Sequence, residues 1–240
     1  MYKRFTLEEL KTVQNNFISN FYSIVRKEHC MMTNDFFKKI FKDGKRKGSD
    51  TIAIGKAFDD RIGAWTAVEA VRMLAEKNIK HPNTVIGAAT TQEEVGLRGA
   101  RTTAFVVKPD VCLTLEVDLA GDVPGIEPNE APTKMGLGPS VTTYDSSMIP
   151  NQGLVDLVMK TAEKRKIPYQ LSQIARGGTD AGVIHIANAG CPSIVIGVPT
   201  RHIHSHVGLM SMTDAENCVK LIIELIKVLD KKTVAAFTEV

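Results

Sequence analysis

The chain has 240 residues, 43% apolar and 24% charged, enough for one well-buried core, or one core with an appendage. No apolar run approaches the roughly 18–20 residues needed to cross a bilayer. Met1-Tyr2-Lys3-Arg4 is not followed by the apolar stretch of a secretory signal. Cys30, Cys112, Cys191 and Cys218 are scattered, which suits free thiols in the cytoplasm better than a disulfide framework. The net charge of +3 is uneven, with 11 Lys/Arg against 6 Asp/Glu in residues 1–50 and 19 against 21 in the rest. Lys45-Arg46-Lys47 reads as a solvated linker, and the body has no basic excess, so nucleic acid is not an expected partner.

In chain order, Thr6 is a good N-cap, and Leu7, Leu10, Val13, Phe17, Phe21 and Ile24 recur at helical spacing. A second short helix starts at Asn34 and ends in Asp43-Gly44. A polar linker then runs to Asp50, so residues 1–50 form a basic helical leader. From residue 51 strands and helices alternate. Strands are predicted at 51–54, 84–91, 111–117 and 193–198, with an extended piece at 169–174. Helices are predicted at 61–78, 99–106, 153–166, 179–189 and 214–230, and residues 121–139 read as a Gly- and Pro-rich loop. The fold class expected for 51–240 is α/β, a mixed sheet with helices on both faces and ligands beyond the strand ends.

Carboxylates and histidines fall at those ends. Asp59-Asp60 follows the first strand, Glu93-Glu94 the second, Asp118 the third, and His202, His204 and His206 follow the strand ending at Val198. Each has a plainer reading. Asp59-Asp60 could cap a helix, Glu93-Glu94 could be a solvated pair at a helix start, and Asp118 could stabilise a turn. Together, Asp, Glu and His at one sheet edge suit zinc, which accepts carboxylate oxygen and imidazole nitrogen.

In sequence, Phe58-Asp59-Asp60-Arg61-Ile62-Gly63, Thr91-Gln92-Glu93-Glu94-Val95-Gly96, Glu116-Val117-Asp118 with Gly121-Asp122-Val123-Pro124-Gly125, Arg176-Gly177-Gly178-Thr179-Asp180-Ala181 and Arg201-His202-Ile203-His204-Ser205 come in order. This series resembles the tetrahedral (TET) aminopeptidases, which include glutamyl and deblocking aminopeptidases and some proteins labelled endoglucanases. The resemblance covers roughly residues 50–230. It implies a phosphorylase/hydrolase-like metallopeptidase catalytic domain that binds two zinc ions (or cobalt or manganese) and cleaves peptides in the cytoplasm. Asp59 would bridge the metals, with Asp60 orienting it. Glu94 and His204 would complete one site, and Asp118 would belong to the other. Glu93 would be the general base. Arg176 and Asp180 would lie on a substrate-side loop, whose plainer reading is a Gly-rich turn capping a helix, and His202 would support the ligands.

The sequence departs from the family in two ways. No match is found for a further metal-binding histidine in a His-x-Asp context or for a dimerisation domain ahead of Asp59. The only histidine in the leader is His29, predicted to lie on a helix. The expectation is therefore an N-terminally truncated catalytic domain behind a short leader. It would have one complete metal site and one a ligand short, and its homo-oligomeric assembly is left open. The competing readings are a related deacylase or carboxypeptidase, and a non-catalytic remnant that keeps the fold and at most one metal. A cellulase is disfavoured, because glycosidases need two opposed carboxyls rather than a carboxylate–histidine cluster.

Overall fold

A computed structural model describes residues 52–238. The leader predicted for 1–50 lies outside them. The strands are β1 (Ile52–Gly55), β2 (Cys112–Leu119), β3 (Ser140–Asp145), β4 (Gln170–Ile174), β5 (Ser193–Arg201) and β6 (Gly208–Ser211). The helices are α1 (Phe58–Glu76), α2 (Arg98–Val107), α3 (Gln152–Arg165), α4 (Ala181–Ile184), α5 (Met212–Val228) and α6 (Lys231–Ala235).

The sheet is mixed and centred on β5. One edge of β5 pairs in parallel with all of β2, from Cys112↔Ser193 to Leu119↔Thr200. Its other edge is shared, antiparallel, by β3 near Gly197 and β6 near Thr200. The path β1-β6-β5-β3-β4 completes it. The first eight residues of β5, Ser193 to Thr200, are buried, as expected where both faces are covered. Alternation then sorts its side chains between two cores. Ile194, Ile196 and Val198 join the large cluster with α1, α3 and α5, whereas Val195 packs with Met148 and Ala181 of α4.

Local chemistry explains the helices. In α1, Phe58, Ile62, Thr66, Ala70 and Leu74 recur every four residues and are all buried. Asn78, in the left-handed region, follows its C-terminal end. Asn151 caps α3 by accepting from Leu154 N, and Ser211 caps α5 by accepting from Asp214 N. Asp214 is itself buried, and its two oxygens accept from Gly136 N and Gly138 N at 2.7 and 2.8 Å, which pins the predicted 121–139 loop.

Four differences from the expected elements have physical causes. Residues 84–91 are not paired as a strand among the described residues. Among the described strands β2 pairs with β5 alone, and Ile86 stays 58% exposed. The predicted 179–189 helix shortens to Ala181–Ile184, and the chain beyond it passes through left-handed Asn188 and through Gly190 at φ 97°. The sequence does not predict β3, because Ser140-Val141-Thr142-Thr143-Tyr144-Asp145 lacks apolar alternation. The partner β5 makes it a strand, with Ser140 and Thr142 buried. β6 has only four residues and gives too short a signal.

Candidate metal centre

The exits of β1, β2 and β5 and the turn before α2 converge on one end of the sheet. The chain leaves β1 through Ala57 at φ 51°, and Asp59 and Asp60, joined by a cis peptide bond, keep non-helical backbone angles. Their side chains therefore part. Asp60 turns inward, where its Oδ1 accepts from Gly63 N at 2.8 Å, the capping role foreseen as the plainer reading of the pair. Gly63 is required for this approach, since a Cβ there would lie 2.2 Å from Leu115 O of β2. Asp59 turns toward the loop after β5.

Asp59 Oδ2 lies 2.8 Å from His204 Nε2, and Glu94 Oε2 lies 3.4 Å from the same nitrogen. One ligand atom from each of the three falls within 4.8 Å of the others. Glu94 sits in a turn held by Gly96 N and Leu97 N, both donating to Glu93 O, with Gln92 and Leu97 left-handed. The three residues, with Lys56, Thr200, His202 and His206, line a cleft of about 330 Å³. A second hollow of about 380 Å³ lies at the far end of α1, against Val71, Leu74, Asn78, Ile79 and His81, away from the acidic cluster.

Behind the triad lies a bank of carboxylates held above their ordinary range. Burial, then the charges of Asp180, Glu94 and Asp59, raises Glu93 to about 7. Burial raises Asp60 to about 7, with Asp59 and Glu93 adding to the shift. Glu116 on β2 is also raised well above its ordinary value, by burial and then by Asp60, Asp59 and Glu93. Burial, then Glu94, raises Asp59, while His204 opposes the shift.

Glu116 was missed at the sequence level. It stands two residues before Asp118 on the same strand, and its place in the Glu116-Val117-Asp118 motif was the available signal. Asp118 is not brought to the triad. It is buried, its Oδ1 accepts from Leu119 N at 2.9 Å, and its surroundings are the hydroxyls of Ser172, Ser140 and Thr133. Asp180 is buried beside Glu93 and accepts a hydrogen bond from Thr90. Arg176, on the same loop, is exposed. His202 lines the cleft, and its carbonyl accepts from Ser205 Oγ at 2.8 Å.

The donor set fits a metal. Two carboxylates and one imidazole, converging with an open side toward a cleft, match the three-ligand arrangement of catalytic zinc sites.

The M42 glutamyl aminopeptidase profile matches residues 40–221. A putative aminopeptidase of Acetivibrio thermocellus is 37% identical over 223 residues, covering 91% of this chain and 66% of its own length. The crystal structure of a TET aminopeptidase from the archaeon Thaumarchaeota archaeon SCGC AB-539-E09 is 64% identical. It superposes with a TM-score of 0.77 over 78% of this chain and 52% of that one. A TET1 peptidase of Pyrococcus horikoshii, described as assembling into a tetrahedron or a large octahedral shell, is 31% identical. Its TM-score is 0.62, over 73% of this chain and 51% of that one. The chain thus spans between about half and two thirds of the length of these relatives. With the ordered motifs, the mixed sheet and the profile in agreement, the chain belongs to the M42 glutamyl aminopeptidase family.

Proposed function

We propose that this protein is a metal-dependent aminopeptidase that removes N-terminal residues from peptides, with zinc, or cobalt or manganese, at the Asp59–Glu94–His204 site. The convergence of those three donors beside a half-buried Glu93 carries the reading. A bound ion supplies an acidified water and polarises the scissile carbonyl. Glu93 accepts the proton of the attacking water and hands it to the departing amine. Burial and the charges of Asp180, Glu94 and Asp59 raise this carboxyl to about 7 in the metal-free protein, the direction that favours its holding a proton. Asp180, on the substrate-side loop, keeps Glu93 raised, Arg176 meets substrate there, and Asp60 behind the ligands and His202 on the cleft wall support them.

In this reading Glu116, rather than Asp118, is the β2 carboxylate that serves the centre, because Glu116 is the one beside Asp59, Asp60 and Glu93. A second ion would draw on Asp59 and Glu116, without an imidazole from the described residues. Such a site holds zinc loosely and tolerates oxygen-preferring ions. No helix among the described residues is long and apolar enough to cross a membrane, and the described cysteines are free thiols, which supports a cytoplasmic place of action.

The test is metal analysis of dialysed protein beside a panel of aminoacyl anilides. Close to one retained zinc per chain is expected, with aminopeptidase turnover that rises when metal is added. Protein that retains no metal and turns over no anilide under excess zinc would overturn the reading in favour of a non-catalytic remnant.

A further inference from the structure

The triad depends on a loop that is not self-evidently stable. β5 ends at Arg201, and the six residues to β6 carry His204 with two non-glycine residues left-handed, His202 at φ 60° and His204 at φ 57°. Such backbone is held only where its surroundings fix it. Ser205 closes the loop on itself, its Oγ lying 2.8 Å from both His202 O and Val207 O, to either of which its one proton can be donated, and accepting from Val207 N at 3.3 Å. Those bonds shape the loop but do not orient it toward Asp59 and Glu94.

Arg201 is placed to supply that orientation. Its Nε donates to Asp122 Oδ1 at 3.0 Å and its Nη2 donates to Asp122 Oδ2, a two-pronged contact with both side chains more than two-thirds covered. Asp122 lies three residues beyond β2, in a turn held by Ala120 N donating to Thr200 O at 3.1 Å and Gly121 N donating to Thr133 O at 2.8 Å. The pair therefore ties the exit of β5 to the exit of β2. A planar guanidinium fixes direction as well as distance, which a lysine ammonium does not.

We propose that Arg201 and Asp122 are a positioning pair that aims the His204 loop at Asp59 and Glu94 and so sets the affinity of the centre for metal. This rests on the metal-site reading above. A contact that merely stabilised two strand ends would change melting but not zinc affinity once the protein is folded. The Arg165–Glu224 pair, at 2.7 Å between helix α5 and the end of α3, supplies the comparison.

The experiment measures zinc dissociation constants by competition with a chromophoric chelator, beside melting of the metal-free protein. It uses the parent, Arg201→Lys, Asp122→Asn, their double variant and Glu224→Gln. The two single variants should each weaken zinc at least about tenfold, the lower bound for groups that orient ligands. The double variant should be no weaker than the weaker single, because both remove one contact. Glu224→Gln should leave zinc affinity unchanged. Should Arg201→Lys fail to fold, Asp122→Asn carries the comparison from the other side. Unchanged zinc affinity in the site variants, or equal weakening by Glu224→Gln, overturns the proposal while leaving the metal centre standing. A parent protein that binds no zinc removes the metal reading and this proposal with it.

Discussion

β5 belongs to two different environments. Through Ser193–Thr200 it is buried, and Ile194, Ile196 and Val198 pack into the main apolar core while Val195 packs into a smaller one, held by dispersion and exclusion of water. A few residues on, its exit loop brings His204 against a bank of carboxylates, Asp59, Asp60, Glu93 and Glu116, all held above their ordinary range. The first region is stabilised mainly by apolar burial. The second holds like charges close together in partial burial, which opposes folding unless protons or a cation relieve it. The contrast identifies the sheet end as a site and the sheet centre as its support.

The comparison can be broken first at the centre. Leu221→Ala on α5, where the side chain is fully buried, should destabilise by about 2–5 kcal/mol in denaturant unfolding. Zinc affinity of the folded fraction should not change. A core substitution that altered metal binding as strongly as stability would mean that the two regions are not separable.

At the site, Glu93→Gln should lower kcat at least about 10²-fold, the usual scale for a positioned general base. Metal content should stay the same. Loss of metal along with activity would exchange the roles of Glu93 and Glu94.

His204→Ala should weaken zinc binding by at least about tenfold. His206→Ala, which lines the cleft but lies outside the triad, should have little effect, with His202→Ala between them. Equal losses from all three in the same chelator assay would remove the assignment of His204.

The smallest effect is in pH. Asp60 and Glu93 are raised from 3.8 and 4.5 to about 7 in the folded, metal-free protein. The folded state thus binds protons more tightly than the unfolded chain. Its stabilisation from these groups is complete below about pH 4 and is lost as pH rises through about 7. Metal-free protein should therefore melt lower at pH 8 than at pH 5.5, by about 2–4 °C for each ~1 kcal/mol lost. Zinc should reverse most of the loss at pH 8. Metal-free melting that rose steadily over the same range would contradict the charge crowding.

Much of this arrangement was legible in the chain. The apolar spacing of α1 and α5, the caps, and the Gly- and Pro-rich 121–139 stretch are local signals. The strands with long apolar runs were visible for the same reason. β3 and residues 84–91 show the limit. A polar segment became a strand because β5 offered it an edge, and an apolar segment did not, because no described strand paired with it. Pairing is a property of the neighbour as well as of the segment.

That acidic residues and histidines collect at one end of an α/β sheet was legible from the strands at 51–54, 111–117 and 193–198, whose exits follow from periodicity and turn chemistry. The sequence by itself did not determine which member of each pair would face the centre. That Asp60 turns back to cap α1 while Asp59 meets His204, and that Glu116 stands in the carboxylate bank while Asp118 is buried among hydroxyls, was decided by the tertiary structure. The physical reason is that neighbouring side chains leave an irregular exit in directions set by its backbone angles. Long-range contacts hold those angles, such as the close approach of Gly63 to Leu115 and the tie from Arg201 to Asp122, and no local pattern encodes them.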